Sequence, residues 1–537
     1  RGPGPHRRRA MKTPPWRRWL GLLLFAGIFL TAAWHVHLHR RAPAGAETVE
    51  LYVGHWLLHA GMREAFDDAI AGYQRLHPHV VIRQIPVPVR SYEAWARTQL
   101  IGGTAPDITG MLRLNEELIS RHFLPLTPHL DRPNPYNAGT PLANVPWRDT
   151  FVDGLTAMRN LTPTSGEIHG VSLQVNTQRL YYNRELLRAI TGSETPPADF
   201  AGLLAFGRQV AAYNERTGAQ LVPIAGCGPY SQFLFDLLLP SQTQRLVLSA
   251  SPNRNLRVLP VELAGLILQG RVDYDTPALR RSLELLHDMA GLLTPGYPQL
   301  QRDDAIFTYL QQNSVMLYAG SWDYAVLLRD GAFTTGIMPM PAPAADDPVY
   351  GPLTLGPISE AAGNPEAMLG VLRSSRHREV ALDFLHYLSS RPATAEFSRI
   401  SHRVSSVIGT PPPPDGSLLV PRLEGELPGF TVDFRWFAAG SASNFFQRHV
   451  HGAIGPRGDV AAFAARLNAE LPRYLRQDLA WQLQQLRRDV QRLDAMAALQ
   501  LTLAPDDATR EGWTRHAEMQ HTRQLENLHY RPLADAP

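Results

Sequence analysis

"GVSLQVNTQRLYYNRELLRAI", Gly170 to Ile190, decides how the rest of the chain is read. Gly170–Asn176 is strand-like, Arg184–Ile190 has helical spacing, and Asn183 is placed to cap that helix. Two tyrosines and an asparagine stand at the junction, which is a catalytic turn, a core feature, or a passage between two lobes. Upstream, Trp147 to Asn176 reads as helix, turn, strand. Downstream, Pro196-Pro197 precede an amphipathic helix with Phe200, Leu203, Leu204, Gly207 and Val210 on one face.

The same alternation extends in both directions. Val49, Leu51 and Val53 alternate as a strand; Met62, Phe66, Ile70, Tyr73 and Leu76 then recur every three or four residues until His77-Pro78, and "HVVIRQIPV" follows. Short connections favour parallel pairing of the two strands. "SYEAWARTQLIGG" is a helix with Tyr92, Trp95 and Leu100 inward, stopped by Gly102-Gly103 before "APDITGML". Further on, "SVMLYAGSW" and "TTGIMPMP" are short strands, and "HREVALDFLHYLSSRP" is a helix with Val380, Phe384 and Leu388 inward. "IGTPPPPDGS" is a stiff linker, Asp459–Leu493 has helical spacing, and the residues from about Ala504 are polar, as in a loosely held tail.

Composition narrows the chemistry. With 537 residues, 44% of them apolar, the chain can bury a large core and split into about two to four compact units. The single cysteine, Cys227, excludes internal disulfides and thiolate metal clusters and reads as a small buried thiol. The single lysine, Lys12, excludes Schiff-base chemistry, phosphate-loop NTPases and kinases from the folded body. Nine of the 52 basic residues precede Glu47, the first acid, so the body carries 43 basic against 49 acidic residues. Such a body has no basic stripe for nucleic acid.

Arg17 and Arg18 followed by "LGLLLFAGIFLTAA" have the order of a secretory signal. Ala44-Gly45-Ala46 fits a cleavage site, though far beyond the apolar run, while residues 19–38 reach the ~17 to 25 residues of a spanning helix, so an uncleaved anchor is an open alternative. His35, His37 and His39 fit interfacial placement better than a metal tract.

The order of these signals resembles the extracellular solute-binding proteins of family 1, the sugar-binding class related to maltose-binding protein, over Val49–Leu471. The matching segments are "VELYVGHW", "REAFDDAIAGYQRLHP", "HVVIRQIPV", "QLIGGTAPDI", "LYYNRELL", "TPPADFAGLLAFGRQV", "NSVMLYAGSWDY", "TTGIMPMP" and "HREVALDFLHYLSS". Two departures stand out: "HRVSSVIGTPPPP" replaces the turn that usually follows the last of these helices, and the chain continues beyond Leu471. The resemblance implies an α/β, two-lobe periplasmic-binding-protein fold of type II, with a hinge of chain crossovers near Gln174–Tyr182 and extra C-terminal helices. The expected division is 1–46 signal peptide or N-terminal membrane anchor, 47–173 first part of lobe one, 174–332 first part of lobe two, 333–392 return to lobe one, 393–503 C-terminal helices of lobe two, and 504–537 polar tail. It further implies a monomer, exported to the periplasm or cell envelope, that delivers a sugar or oligosaccharide to the permease subunits of an ABC importer without a cofactor, a metal or catalysis.

Sugar rings dock their C–H faces on aromatic planes, and their hydroxyls need paired donors and acceptors. The candidate ligand-binding residues are Trp322 in the "AGSWDY" turn, Trp56 and His55 at the end of the first strand, Asn176 at the family's cleft position, and Asp323, Gln174, Arg435 and Trp436. Tyr181 and Tyr182 are expected as core, and Asp107 as a backbone cap. A secreted carbohydrate-active hydrolase is the main rival, although His-Glu-x-x-His and Gly-x-Ser-x-Gly motifs are missing. A sensory subunit derived from a binding protein is another.

Overall fold

The computed structural model describes residues 48–162, 165–251, 258–360, 364–414, 416–426, 429–435, 437, 439–503 and 507–534. The strands in chain order are β1 (Val49–His55), β2 (Val80–Pro86), β3 (Ile108–Gly110), β4 (Val171–Asn176), β5 (Gln178–Asn183), β6 (Val222–Ala225), β7 (Ser314–Gly320), β8 (Thr335–Pro339), β9 (Asn364–Val371) and β10 (Val404–Ser405). They form two sheets, ordered β10-β4-β9-β3-β1-β2 and β6-β7-β5-β8.

In the first sheet β1 pairs in parallel with β2 across the helix Met62–Leu76, in the register Val49↔Val80. That helix buries Met62, Phe66, Ile70 and Tyr73, the residues its spacing predicted, while Leu76 at its end is exposed. Helices Arg378–Leu388 and Arg391–Ser401 complete this lobe, and Phe66, Trp147, Phe384 and Phe397 share its core. The predicted helix at Trp147 is a single 3-10 turn, Trp147–Thr150, followed by a four-residue helix, Thr156–Arg159. Gly154 and Leu155 between them both take positive φ, which interrupts a helix.

The second sheet has its own core, which joins Tyr181, Leu234, Tyr318, Phe446 and Leu475. Asn183 caps the helix Arg184–Thr191 by accepting from Leu186 N at 2.9 Å. Gly336 sits opposite Tyr182 in the β5–β8 ladder because a Cβ there would lie 2.2 Å from the tyrosine ring. Cys227 is buried beside the second sheet, and burial pushes its thiol up to about 11.

Thr177 alone separates β4 in one sheet from β5 in the other. Its amide donates to Ser321 Oγ at 3.2 Å, its carbonyl accepts from Ser321 N at 2.8 Å, and its hydroxyl donates to Leu419 O at 2.8 Å. The opening junction is thus a passage between lobes, with Tyr181 and Tyr182 buried just beyond it. The later passages fall further along the chain than the sequence suggested. Residues 335–339, expected in the return to lobe one, pair with β5 in sheet two, and β10, expected in lobe two, pairs with β4 in sheet one.

The largest correction concerns the C-terminus. The helix Val460–Leu503 buries Leu467, Leu471, Leu475 and Leu479, spaced by four, in the second core. The expected loose tail is instead a helix, Asp507–Ala534, that turns back along it: Asn527 Nδ2 reaches Leu483 O at 3.5 Å, and Gln520 donates to Asp494. Leu533 packs over Gly265 of lobe two. The expected export signal at residues 1–46 lies outside the described residues, as do His35, His37 and His39. Among the described residues no helix is long and apolar enough to cross a membrane.

Candidate functional site

Two loops and one crossover meet at the boundary between the lobes. On lobe one the chain leaves β1 and enters the helix Met62–Leu76 through Gly61, whose φ is +79°. A Cβ at Gly61 would lie 2.6 Å from Ile400 O, so glycine lets this loop press against the end of helix Arg391–Ser401. His59, two residues before Gly61, lies within electrostatic reach of Arg403, which follows His402, the residue that ends the helix in the left-handed conformation. Burial, reinforced by the Arg403 and Arg302 cations, lowers His59 to about 3, so its ring stays neutral.

On lobe two, β7 ends at Gly320 and the chain turns through Ser321, Trp322 and Asp323. A Cβ at Gly320 would lie 2.3 Å from the Trp322 indole, so the ring covers bare backbone. Tyr230 and Phe233, on the first turns of helix Gly228–Ala250, stand 6.4 Å and 5.7 Å from the Trp322 ring, tilted by 50° and 63°. Phe233 is 38% exposed and Trp322 only partly buried, which makes an aromatic lip. Beneath it Asp323 is wholly buried. Its Oδ2 accepts from the Tyr230 hydroxyl, and its Oδ1 accepts from Arg302 Nε at 2.8 Å. Burial raises the Asp323 carboxyl above its ordinary range, against the pull of Arg302, Tyr230 and Arg403.

The lobes meet at these groups. Ser321 Oγ lies 3.5 Å from Asn176 Oδ1, and the Tyr324 ring meets His402 edge-on at 6.4 Å. Val404 pairs with Val175, so Arg403 stands across from Asn176 at the crossover. Its Nη1 donates to Glu366 Oε2 at 3.1 Å. Gln174 Nε2 donates to Ser401 Oγ at 3.2 Å, leaving Gln174 Oε1 buried without a partner.

Of the residues picked from sequence, Trp322, Asp323, Asn176 and Gln174 converge here. Trp56 and His55 do not. Trp56 is 4% exposed, packs 5.2 Å from Tyr92, and covers Gly110, where a Cβ would lie 2.4 Å from its ring. His55 is fully buried, stacks on Phe66 at 4.6 Å, and is held by Gln84 and the Leu57 amide. Both serve the core of lobe one because the chain turns into the cleft only after them. Arg435 ties its loop to Asp433, Gln232 O and Asp236; burial pushes the Asp236 carboxyl up to about 6 despite that arginine. Trp436 lies outside the described residues. Asp107 accepts from the Tyr52 amide at 2.9 Å and from Ser375 Oγ at 2.6 Å, so it orders backbone. Sequence reasoning missed His59, Tyr230, Phe233, Arg302 and Arg403. Only His59, in the loop that follows His55 and Trp56, had a local signal. Among the described residues no group of His, Cys, Asp and Glu has the makings of a metal site.

Two sheets joined by a one-residue crossover, with an aromatic lip and buried polar groups between them, define a two-lobe binding protein. The family model for bacterial extracellular solute-binding proteins matches residues 69–416, well over half of the chain, and the chain belongs to that family. Solved structures agree on the fold. RafE from Streptococcus pneumoniae, in its apo form, is 13% identical, with a TM-score of 0.54 over 81% of this chain and 100% of that one. A chitin oligosaccharide binding protein is 15% identical, with a TM-score of 0.51 over 79% and 99%. The bacterial solute receptor AcbH, described with a substrate preference for β-D-galactopyranose, is 14% identical, with a TM-score of 0.51 over 80% and 97%. No curated protein matches.

Proposed function

We propose that this chain captures a sugar or oligosaccharide between its lobes and presents it to the permease subunits of an ABC importer on the outer side of the cytoplasmic membrane, changing no bond in it. The observation that carries this reading is the lip of Trp322 and Phe233, backed by the buried Tyr230, beside the Asp323–Arg302 pair. An aromatic plane beside fixed, charged hydrogen-bonding groups suits a ring that is apolar on its faces and polar at its edge. RafE has also been solved with raffinose, and the other two relatives are described by their binding of saccharides.

Function then follows from closure. A ligand that touches Trp322 on one lobe and the His59 and Asn176 region on the other stabilises the closed form by its differential affinity for it. The charged and apolar segment at residues 17–38 supplies export, as a cleaved signal or an anchor.

A thermal-shift screen of the purified chain over mono- and oligosaccharides tests this. A ligand that binds only the folded state adds about 2.7 kcal/mol at a hundred times its Kd. At least one saccharide is expected to raise the Tm; a flat response to every saccharide would reject the reading.

A further inference from the structure

Arg403 carries an unfilled fork at the lobe boundary. The residue is 2% exposed, and its Nη1 is taken by Glu366, but Nε and Nη2 are buried without a hydrogen-bond partner. Those two nitrogens lie along one edge of the planar guanidinium and direct parallel N–H groups, the arrangement that grips both oxygens of a carboxylate. Buried charged donors left unmatched are costly, on the order of 1–3 kcal/mol or more.

Among the described residues nothing on lobe two fills the fork. Asp323 is within electrostatic reach of Arg403, yet its oxygens already accept from Tyr230 and Arg302. A second orphan lies in the same field, because His59 Nδ1 is also buried without a partner. Charge bookkeeping limits what can enter. Arg403 and Arg302 are matched by Glu366 and Asp323, and Glu366 stands beside the fork. A carboxylate on the fork leaves one net negative charge there and a dianion leaves two, so the singly charged group is the less disfavoured of the two.

We propose that Arg403 receives the carboxylate of an acidic sugar, so that the ligands of this cleft are uronate-containing saccharides rather than neutral ones. This rests on the sugar-binding reading above and specifies its ligand class. The carboxylate of a uronic acid docks on Nε and Nη2, the neutral His59 ring meets a neighbouring hydroxyl, and the ring face lies toward the aromatic lip.

The test is calorimetry on the full chain with galacturonate and digalacturonate, galactose and galactobiose, and galactose 1-phosphate. The uronates are expected to bind at least tenfold more tightly than their neutral counterparts. Arg403→Gln is expected to remove that preference. Arg403→Lys, which keeps the charge but not the fork, should also lose most of it, and circular dichroism and Tm report whether each variant folds. Equal or tighter binding of the neutral sugars, or a uronate preference that survives in both variants, would overturn the proposal. Preference for the phosphate would overturn the carboxylate assignment. Failure of every saccharide, charged or neutral, would instead bring down the sugar-binding reading itself.

Discussion

Arg492 Nη1, on the C-terminal helical hairpin, donates to Glu117 Oε1 at 2.8 Å on the first turn of helix Glu116–His122 in lobe one, while the helix that carries Arg492 is rooted in the core of lobe two. Arg523 of the returning helix lies 4.0 Å from Glu116 beside it. The hairpin therefore bridges both lobes. These side chains are partly exposed, so each pair is worth about 0–1 kcal/mol. Arg492→Ala is predicted to leave the Tm within about 2 °C but to favour opening, weakening ligand affinity by up to about fivefold. An unaltered Kd in calorimetry would show that the bridge does not couple to closure.

Trp322 and Trp56 should respond in opposite ways. Trp322→Ala is expected to weaken binding at least tenfold with little change in Tm, since the ring stands at the lip. Trp56→Ala removes a side chain packed on Tyr92 and Gly110, and is expected to cost about 3–5 kcal/mol of stability. Chemical denaturation and calorimetry on both variants separate the two roles.

Gly320→Ala provides an independent check on the lip. Gly320 has an ordinary φ of −81°, so the only insult is a Cβ placed 2.3 Å from the indole. Displacing the ring should reproduce most of the affinity loss of Trp322→Ala, together with a change in tryptophan fluorescence. Wild-type affinity in this variant would disconnect the ring from the ligand.

The C-terminal helix should behave as part of lobe two. Leu475→Ala is expected to cost about 2–5 kcal/mol, because Leu475 is fully buried in the second core. Leu499→Ala, on the exposed side of the same helix, should cost less than about 0.5 kcal/mol. Equal denaturation midpoints for the two variants would contradict this packing.

Acid sensitivity follows from the buried histidines. His59 is lowered to about 3 and His386 to about 4, in each case chiefly by burial. Below the ordinary histidine range the unfolded chain takes up protons that the native state refuses, so stability falls as pH drops from about 6.5 toward these values. Between pH 7 and 5.5 each histidine should contribute a loss of about 1 kcal/mol, and His386→Phe should flatten the slope measured by urea denaturation. An unchanged slope would place that proton uptake elsewhere.

The legible parts of the fold were those written in local chemistry. The β1–helix–β2 unit and the Asn183 cap follow from spacing and turn residues, whereas the crossing near Gln174–Tyr182 came from the family resemblance, and its narrowing to Thr177 alone is seen only in the fold. The passages back to lobe one were harder, because "TGIMP" is an edge strand of sheet two fixed by the fit of Tyr182 over Gly336, a long-range contact. The last helix was misread because its composition is polar; Tyr530 is its single buried large side chain among those described, and pairing with a neighbour supplies what its sequence lacks. At the site, the turn at Gly320-Ser321 marked Trp322, whereas Arg403, Arg302 and Tyr230 reach the cleft only through tertiary packing. Trp56 carried the same aromatic signal as Trp322 and each ring covers a glycine; burial separates core from lip, Trp56 being buried and Trp322 only partly so.

Closure around a bound solute is tested most directly by small-angle X-ray scattering of the full chain, with and without a saccharide that raises its Tm. The account predicts a smaller radius of gyration on saturation, and a response lost in Trp322→Ala. Superimposable profiles at saturating saccharide, with binding verified by calorimetry in the same sample, would contradict it.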